Sequence, residues 1–171
     1  MKNNIILIGF MGIGKGTTAR AFHKKYGTYI MDTDDLIESK EKKEVKKIFT
    51  KKGEAYFRKQ EQATANWIES SVNGTLISCG GGFYKISNIK KLGTVVLLDA
   101  PFEWIHNRLK TAKNSKNKLA KRPLFNKEEE ARELYDEREA HYKSVADVVI
   151  DVSKSSLDEQ LEIIAKELGI I

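Results

Sequence analysis

Gly9-Phe10-Met11-Gly12-Ile13-Gly14-Lys15-Gly16-Thr17 is the stretch that decides the fold. Ahead of it runs Ile5-Ile6-Leu7-Ile8, a short aliphatic segment stopped by glycine, which is the pattern of a strand covered on both faces. Behind it the chain reads as a helix from Lys15 to about Tyr26. Glycines between a buried strand and a helix N-terminus let backbone N–H groups turn inward around phosphate oxygens, the helix dipole adds positive potential, and Lys15 reaches the transferred phosphate. The bland alternative is a glycine-rich turn with a surface lysine, and the strand and helix on either side favour the phosphate loop. One position departs from that pattern. The Ser or Thr that ordinarily follows the lysine and ligates Mg²⁺ is here Gly16, with Thr17 next.

Further strand-length aliphatic runs lie at Thr28 to Met31, Leu76 to Cys79, Val95 to Leu98 and Val148 to Ile150. Leu36 to Phe49 reads as one or two helices in a lysine-rich surface. Glu54 to Ser71 reads as a long helix with Phe57, Thr64, Trp67 and Ile68 near helical spacing. Phe102 to Lys110, Lys127 to Lys143 and Leu157 to Leu168 read as helices. Aliphatic strands alternating with helices imply parallel pairing, because parallel neighbours need helical crossovers. The expectation is an α/β fold, a doubly wound five-stranded parallel sheet flanked by helices, with ligands outside the carboxyl ends of the strands. The 171 residues suit a single domain spanning 1–171.

Composition narrows the class. Hydrophobic residues at 40%, charged residues at 32% and only two prolines exclude disordered, collagenous and disulfide-scaffold chains. The single cysteine, Cys79, ends an apolar run, reads as a buried strand end and suits a reducing cytoplasm. Glycines interrupt the run from Ile5 to Ile13 and argue against a signal peptide, and no stretch approaches the roughly 20 apolar residues of a membrane span. A net charge of +6 favours anionic partners, nucleic acid or a small anionic substrate alike.

The loops after the other strands carry the remaining candidates. Asp32-Thr33-Asp34-Asp35 follows the second strand, and in an extended segment residues 32 and 34 project to one side. One carboxylate could serve the magnesium shell while the other takes an acceptor hydroxyl's proton. Asp34 or Asp35 could equally be a helix N-cap. On the long helix Arg58 and Glu61 share a face, so Glu61 could fix a guanidinium suited to a substrate carboxylate, although such pairs are commonly exposed salt bridges. Gly80-Gly81-Gly82 follows the third strand and would let backbone approach a ligand. From Arg108 to Arg122 there are seven Lys or Arg and no acid, which reads as a solvated loop, a nucleic-acid contact or a lid that closes Arg122 onto a triphosphate. Arg138, with Tyr142 four residues on, is a further candidate for an anionic substrate. His23, His106 and His141 read as surface residues.

Gly-Phe-Met-Gly at 9–12, Asp32-Thr33-Asp34, Phe57-Arg58 with Glu61, the glycine triplet, Arg122-Pro123-Leu124 and Arg138 with Tyr142 together resemble the shikimate kinase family, in the family's order and from end to end of the chain. The loop Gly14-Lys15-Gly16-Thr17 alone is also similar to adenylate-kinase-like enzymes and selects no acceptor. The resemblance implies a P-loop kinase fold with a mobile lid at about 110–125, ATP with Mg²⁺, and phosphorylation of the 3-hydroxyl of shikimate in aromatic amino-acid synthesis. It implies that Gly12, Ile13, Gly14, Lys15, Gly16 and Thr17 cradle ATP, and that Asp34 is the base. Asp32 would support Mg²⁺ through water, with Thr17 as a further metal candidate. Arg58 and Arg138 would clamp the shikimate carboxylate, and Gly81 would contact ring hydroxyls. Arg108 would lie against adenine, with Lys154 or Ser155 opposite, and Arg122 would reach ATP from the lid. A monomeric cytoplasmic enzyme acting on small molecules, without nucleic acid or membrane, is expected. Kinases acting on gluconate or a nucleoside monophosphate share the ATP half and are the nearest alternative. The guanine-reading Asn-Lys-x-Asp signature of a nucleotide switch is absent.

Overall fold

A computed structural model describes residues 3–111 and 127–171. Its elements run β1 (Ile5–Ile8), α1 (Lys15–Tyr26), β2 (Ile30–Asp32), α2 (Thr33–Glu41), α3 (Val45–Lys52), α4 (Glu54–Ser71), β3 (Leu76–Ser78), a 3-10 turn (Phe83–Lys85) and α5 (Ile89–Leu92). Then come β4 (Thr94–Asp99), α6 (Phe102–Thr111), α7 (Glu128–Val145), β5 (Val148–Asp151) and α8 (Leu157–Glu167). The five strands form one all-parallel sheet in the order β2-β3-β1-β4-β5, the doubly wound fold expected. Because β1 is central, its four residues are fully buried, and the loop that leaves it emerges at the middle of the sheet's carboxyl edge.

Two hydrophobic clusters hold the chain. The larger wraps both faces of the sheet and includes Phe22, Ile68, Phe83, Ile105 and Ile164. The smaller one, Ile37, Ile48 and Phe57 with Val45, Phe49 and Tyr56 against them, joins α2, α3 and α4 into a separate body beside the sheet. Each buried aliphatic or aromatic side chain contributes about 1.5–3 kcal/mol relative to exposure.

Local chemistry explains where the elements depart from the sequence reading. The second strand starts at Ile30 rather than Thr28, because Gly27 ends α1 in a left-handed conformation and the Thr28 carbonyl is taken by His23 Nδ1 at 2.9 Å. The helix expected from Leu36 begins at Thr33, because Asp32 caps it: Oδ1 accepts the N–H groups of Asp34 at 2.9 Å and Asp35 at 3.3 Å. The N-cap is therefore neither Asp34 nor Asp35. On α4 the buried face is Phe57, Glu61, Ala65 and Ile68, while Trp67 lies 45% exposed; the apolar residue types were misleading because a glutamate occupies the core-facing stripe. His106 is buried, not a surface residue, stacked on Phe102 with centroids 5.7 Å apart. Cys79 is buried just past β3, as expected. No helix among the described residues is long and apolar enough to cross a membrane.

Candidate active site

The loop after β1 is built for an anion. Gly12 and Gly14 hold positive φ values of 84° and 114°, open to glycine at little cost, and Gly14 is the N-cap of α1 with no side chain donating or accepting there. The first turn of α1 holds no acidic residue of its own, so no carboxylate within it competes for its N–H groups and dipole. The cradle is lined by the chain itself. Lys15 Nζ donates to the carbonyls of Gly9 at 2.6 Å and Phe10 at 3.1 Å. Arg108 Nη1 donates to the carbonyls of Ile13 at 2.7 Å and Gly12 at 3.3 Å, with its guanidinium 5.5 Å above the Trp104 ring. A Cβ on Gly14 would lie 2.6 Å from that guanidinium, so Arg108 fills the space over the loop. Gly16 is different, since its Cβ would meet only the flexible end of Arg20, at 3.2 Å.

The junction of β2 and α2 separates the two aspartates, Asp32 ending the strand and Asp34 standing on the first helical turn rather than in an extended segment. Asp32 is occupied, capping α2 with Oδ1 and accepting the Ser78 hydroxyl at 2.9 Å with Oδ2. Asp34 is not. It projects from the first turn of α2, and its buried Oδ1 has no partner among the described residues. Burial, with the charges of Asp32 and Glu61 adding to it against the pull of Lys15, pushes Asp34 up to about 7. Thr33, fully buried, accepts the Gly80 N–H at 2.9 Å and ties this junction to the glycine triplet.

Each glycine of that triplet makes room for one candidate. A Cβ at Gly80 would collide with the Asp34 carboxylate, one at Gly82 with the Arg58 guanidinium, and one at Gly81 would stand 3.0 Å from Arg138 Nη1. The Gly81 carbonyl accepts the Tyr142 hydroxyl at 2.5 Å and Arg138 Nη1 at 3.2 Å. Burial pushes Tyr142 up to about 12, against the pull of Arg138, so its hydroxyl stays a donor. Arg58 is braced on both sides, by Glu61 at 2.5 Å through Nη1 and by Glu54 at 3.0 Å through Nη2. Glu61 is buried, and burial pushes its carboxyl up against the pull of Arg58 and Arg138. The Arg58–Glu61 pair expected from their spacing is therefore an inward pair, not a surface bridge. A cleft of about 260 Å³ lined by Arg58, Lys59, Glu61, Gln62, Lys85 and Ile86 opens at this end.

Asp34, Arg58, Gly81 and Arg138 thus converge on one loop, beside the phosphate loop that carries Lys15. Three of the buried polar atoms without partners among the described residues, Asp34 Oδ1, Glu61 Oε1 and Arg138 Nε, belong to this group, which is what a site shaped for a polar ligand leaves when empty of protein partners. The glycine cradle fits a triphosphate. The few carboxylates near it fit Mg²⁺, which keeps several waters and takes its other ligands from phosphate. Lys154 is paired with Asp151 at 3.1 Å, and Ser155 Oγ donates to the Asp151 carbonyl at 2.7 Å. Thr17 is exposed on the first turn of α1. Arg122, and the lid segment apart from residues 110 and 111, lie outside the described residues. Sequence reasoning missed Ser78 and Thr33, whose roles depend on strand pairing that no local pattern announces.

The profile described as shikimate kinase matches residues 11–169. The shikimate kinase of Helicobacter hepaticus is 37% identical over 161 residues, covering 94% of this chain and 93% of that one. Among solved structures, the shikimate kinase from Acinetobacter baumannii in complex with shikimate aligns with a TM-score of 0.80 at 30% identity, covering 98% of this chain and 93% of the other. The shikimate kinase from Aquifex aeolicus aligns with a TM-score of 0.73 at 33% identity, covering 97% and 96%.

Proposed function

The chain belongs to the shikimate kinase family and phosphorylates shikimate from ATP with Mg²⁺, and from that premise we propose how its own residues divide the reaction. Asp34 accepts the 3-hydroxyl through its unpartnered Oδ1 and takes the proton as the hydroxyl attacks. A carboxylate poised near neutrality serves that task well. Arg58 and Arg138 grip the shikimate carboxylate in charge-assisted pairs, and the Gly81 backbone meets the ring hydroxyls.

Residues Gly12 to Thr17 cradle the triphosphate, and Lys15 exchanges the carbonyls of Gly9 and Phe10 for the transferred phosphate. Asp32 would support Mg²⁺ through water, with Thr17 or a further water at the place left by Gly16, and the ion supplies charge neutralisation on the phosphate oxygens. Arg108 turns from the loop carbonyls to the adenine, with Lys154 or Ser155 opposite, and Arg122 closes from the lid. The chain acts as one domain, a cytoplasmic monomer working on small molecules without nucleic acid or membrane.

The observation that carries this reading is the convergence of Asp34, Arg58 and Arg138 on the three glycines. The test is ADP release from ATP with shikimate, gluconate and nucleoside monophosphates in turn. Release with shikimate alone is expected, and preference for either of the others would overturn the acceptor.

A further inference from the structure

Tyr84 carries the one buried side-chain polar atom without a partner among the described residues that lies outside the group formed by Asp34, Glu61 and Arg138. It is the middle residue of the 3-10 turn that follows the glycine triplet. The turn is closed by Phe83 N–H to the Gly80 carbonyl at 3.0 Å and Lys85 N–H to the Gly82 carbonyl at 3.1 Å, and Phe83, fully buried, anchors it in the core. The Tyr84 ring meets the Tyr142 ring edge-on at 4.7 Å and stacks against His141 at 6.1 Å. Tyr142 in turn shares the Gly81 carbonyl with Arg138. Tyr84 is therefore held against the residues on α7 that form one side of the acceptor site.

Its hydroxyl is a donor. Burial pushes the phenol up, with Arg138 and Arg58 pulling the other way, and the proton stays in place at neutral pH. Leaving a buried phenol unpaired is costly, and a rigid turn that does so invites an external acceptor. The site needs such donors. Three of the N–H positions of Arg58 are already directed at Glu54 and Glu61, while a carboxylate offers about four acceptor sites. Arg138 Nε is the other unpartnered donor on this side.

Resting on the assignment of Arg58 and Arg138 to the acceptor's carboxylate, we propose that the Tyr84 hydroxyl is a third donor to that carboxylate, setting preference for acid acceptors over their uncharged counterparts. The variant Tyr84→Phe keeps the ring against Tyr142 and removes only the hydroxyl. The KM for shikimate should rise about 10-fold or more, as for a lost bond to a charged group, with kcat and the KM for ATP within about twofold.

The neutral primary amide of shikimate provides the second arm. The parent should discriminate between acid and amide more strongly than Tyr84→Phe does, by about the same factor as the KM change. An unmoved shikimate KM in Tyr84→Phe, or a rise equal for acid and amide, overturns the proposal. Absence of shikimate turnover in the parent itself would instead overturn the functional assignment, so the two failures are distinguishable.

Discussion

The Oδ1 of Asp32 accepts the backbone N–H of Asp34 at 2.9 Å, and this single bond gives two carboxylates two residues apart opposite fates. Asp32 becomes a helix cap with its other oxygen on Ser78. Asp34 becomes a side chain on the first helical turn with a buried oxygen that nothing among the described residues satisfies. With Asp34 near 7 in the free protein, kcat/KM for shikimate should climb with pH through about 7 and level off above it. Asp34→Asn should lower kcat by roughly 10²- to 10⁴-fold and abolish that limb while ATP still binds. A flat pH profile in the parent would remove Asp34 as the base.

The same group makes folding sensitive to pH. Because the folded pKa is raised to about 7, the folded chain holds a proton that the unfolded chain releases near pH 4. The contribution is fully present below the unfolded value and is lost as pH rises through about 7. Asp34→Asn should therefore be more stable than the parent by roughly 2–4 kcal/mol above that pH, and nearly equal to it near pH 4. Urea melts at about pH 4.5 and about pH 8, near the two ends of the window, check it. A stability gain independent of pH would contradict burial of the Asp34 charge as its cause.

Arg58 neutralises the buried Glu61 carboxylate and, in the proposed assignment, also binds the acceptor's carboxylate. Arg58→Met should weaken shikimate binding by about 10- to 100-fold with ATP affinity nearly unchanged, and should also destabilise the fold, because it strands the Glu61 carboxylate in the interior. Adding Glu61→Gln should recover most of the stability and none of the affinity. Calorimetric titration and thermal melts on the single and double variants separate the two effects, and unchanged shikimate affinity in Arg58→Met would take the residue out of the site.

Gly82 has an ordinary backbone, φ −105°, so alanine fits its conformation but not its surroundings, where Cβ meets the Arg58 guanidinium. Gly82→Ala should raise the KM for shikimate about 10-fold or more with Tm little changed, since the displaced group is the end of a long side chain. A large fall in Tm with the KM preserved would show that the glycine serves the turn rather than the site.

Gly16→Ser should be tolerated structurally, since its Cβ meets only Arg20 at 3.2 Å, and should lower the Mg²⁺ concentration needed for half-maximal rate by restoring a hydroxyl ligand. Thr17→Val should raise that requirement sharply only if Thr17 has taken over the ligand role. An unchanged or higher requirement in Gly16→Ser refutes the missing-ligand account.

The parts of the fold readable in the chain were those written in local patterns: aliphatic runs for β1, β3, β4 and β5, and glycine turns beside them. What escaped depends on partners distant in sequence. Glu61 looks like a surface residue until α4 is laid against the sheet, and Trp67 looks like core for the same reason. The cap at Asp32 needed the true start of α2, and the burial of His106 needed Phe102 beneath it. At the candidate site, residue types and order pointed to Asp34, Arg58, Gly81 and Arg138, which the fold brings together, but not to the space that each of the three glycines clears for Asp34, Arg138 or Arg58. Tyr84 carried no signal at all, since a tyrosine after glycines reads as loop until its hydroxyl is found buried.

The central place of β1 also has a consequence for biosynthesis. Of the five strands of the sheet Ile5–Ile8 is made first, yet its two neighbours are Leu76–Ser78 and Thr94–Leu97. At roughly 5–20 residues per second of synthesis, that apolar strand and the loop behind it wait on the order of 5–20 seconds before the second neighbour exists. For that interval an aliphatic segment destined for full burial is open to wrong partners, and synonymous codon changes that slow translation between β1 and β4 should lower soluble yield without altering the finished enzyme.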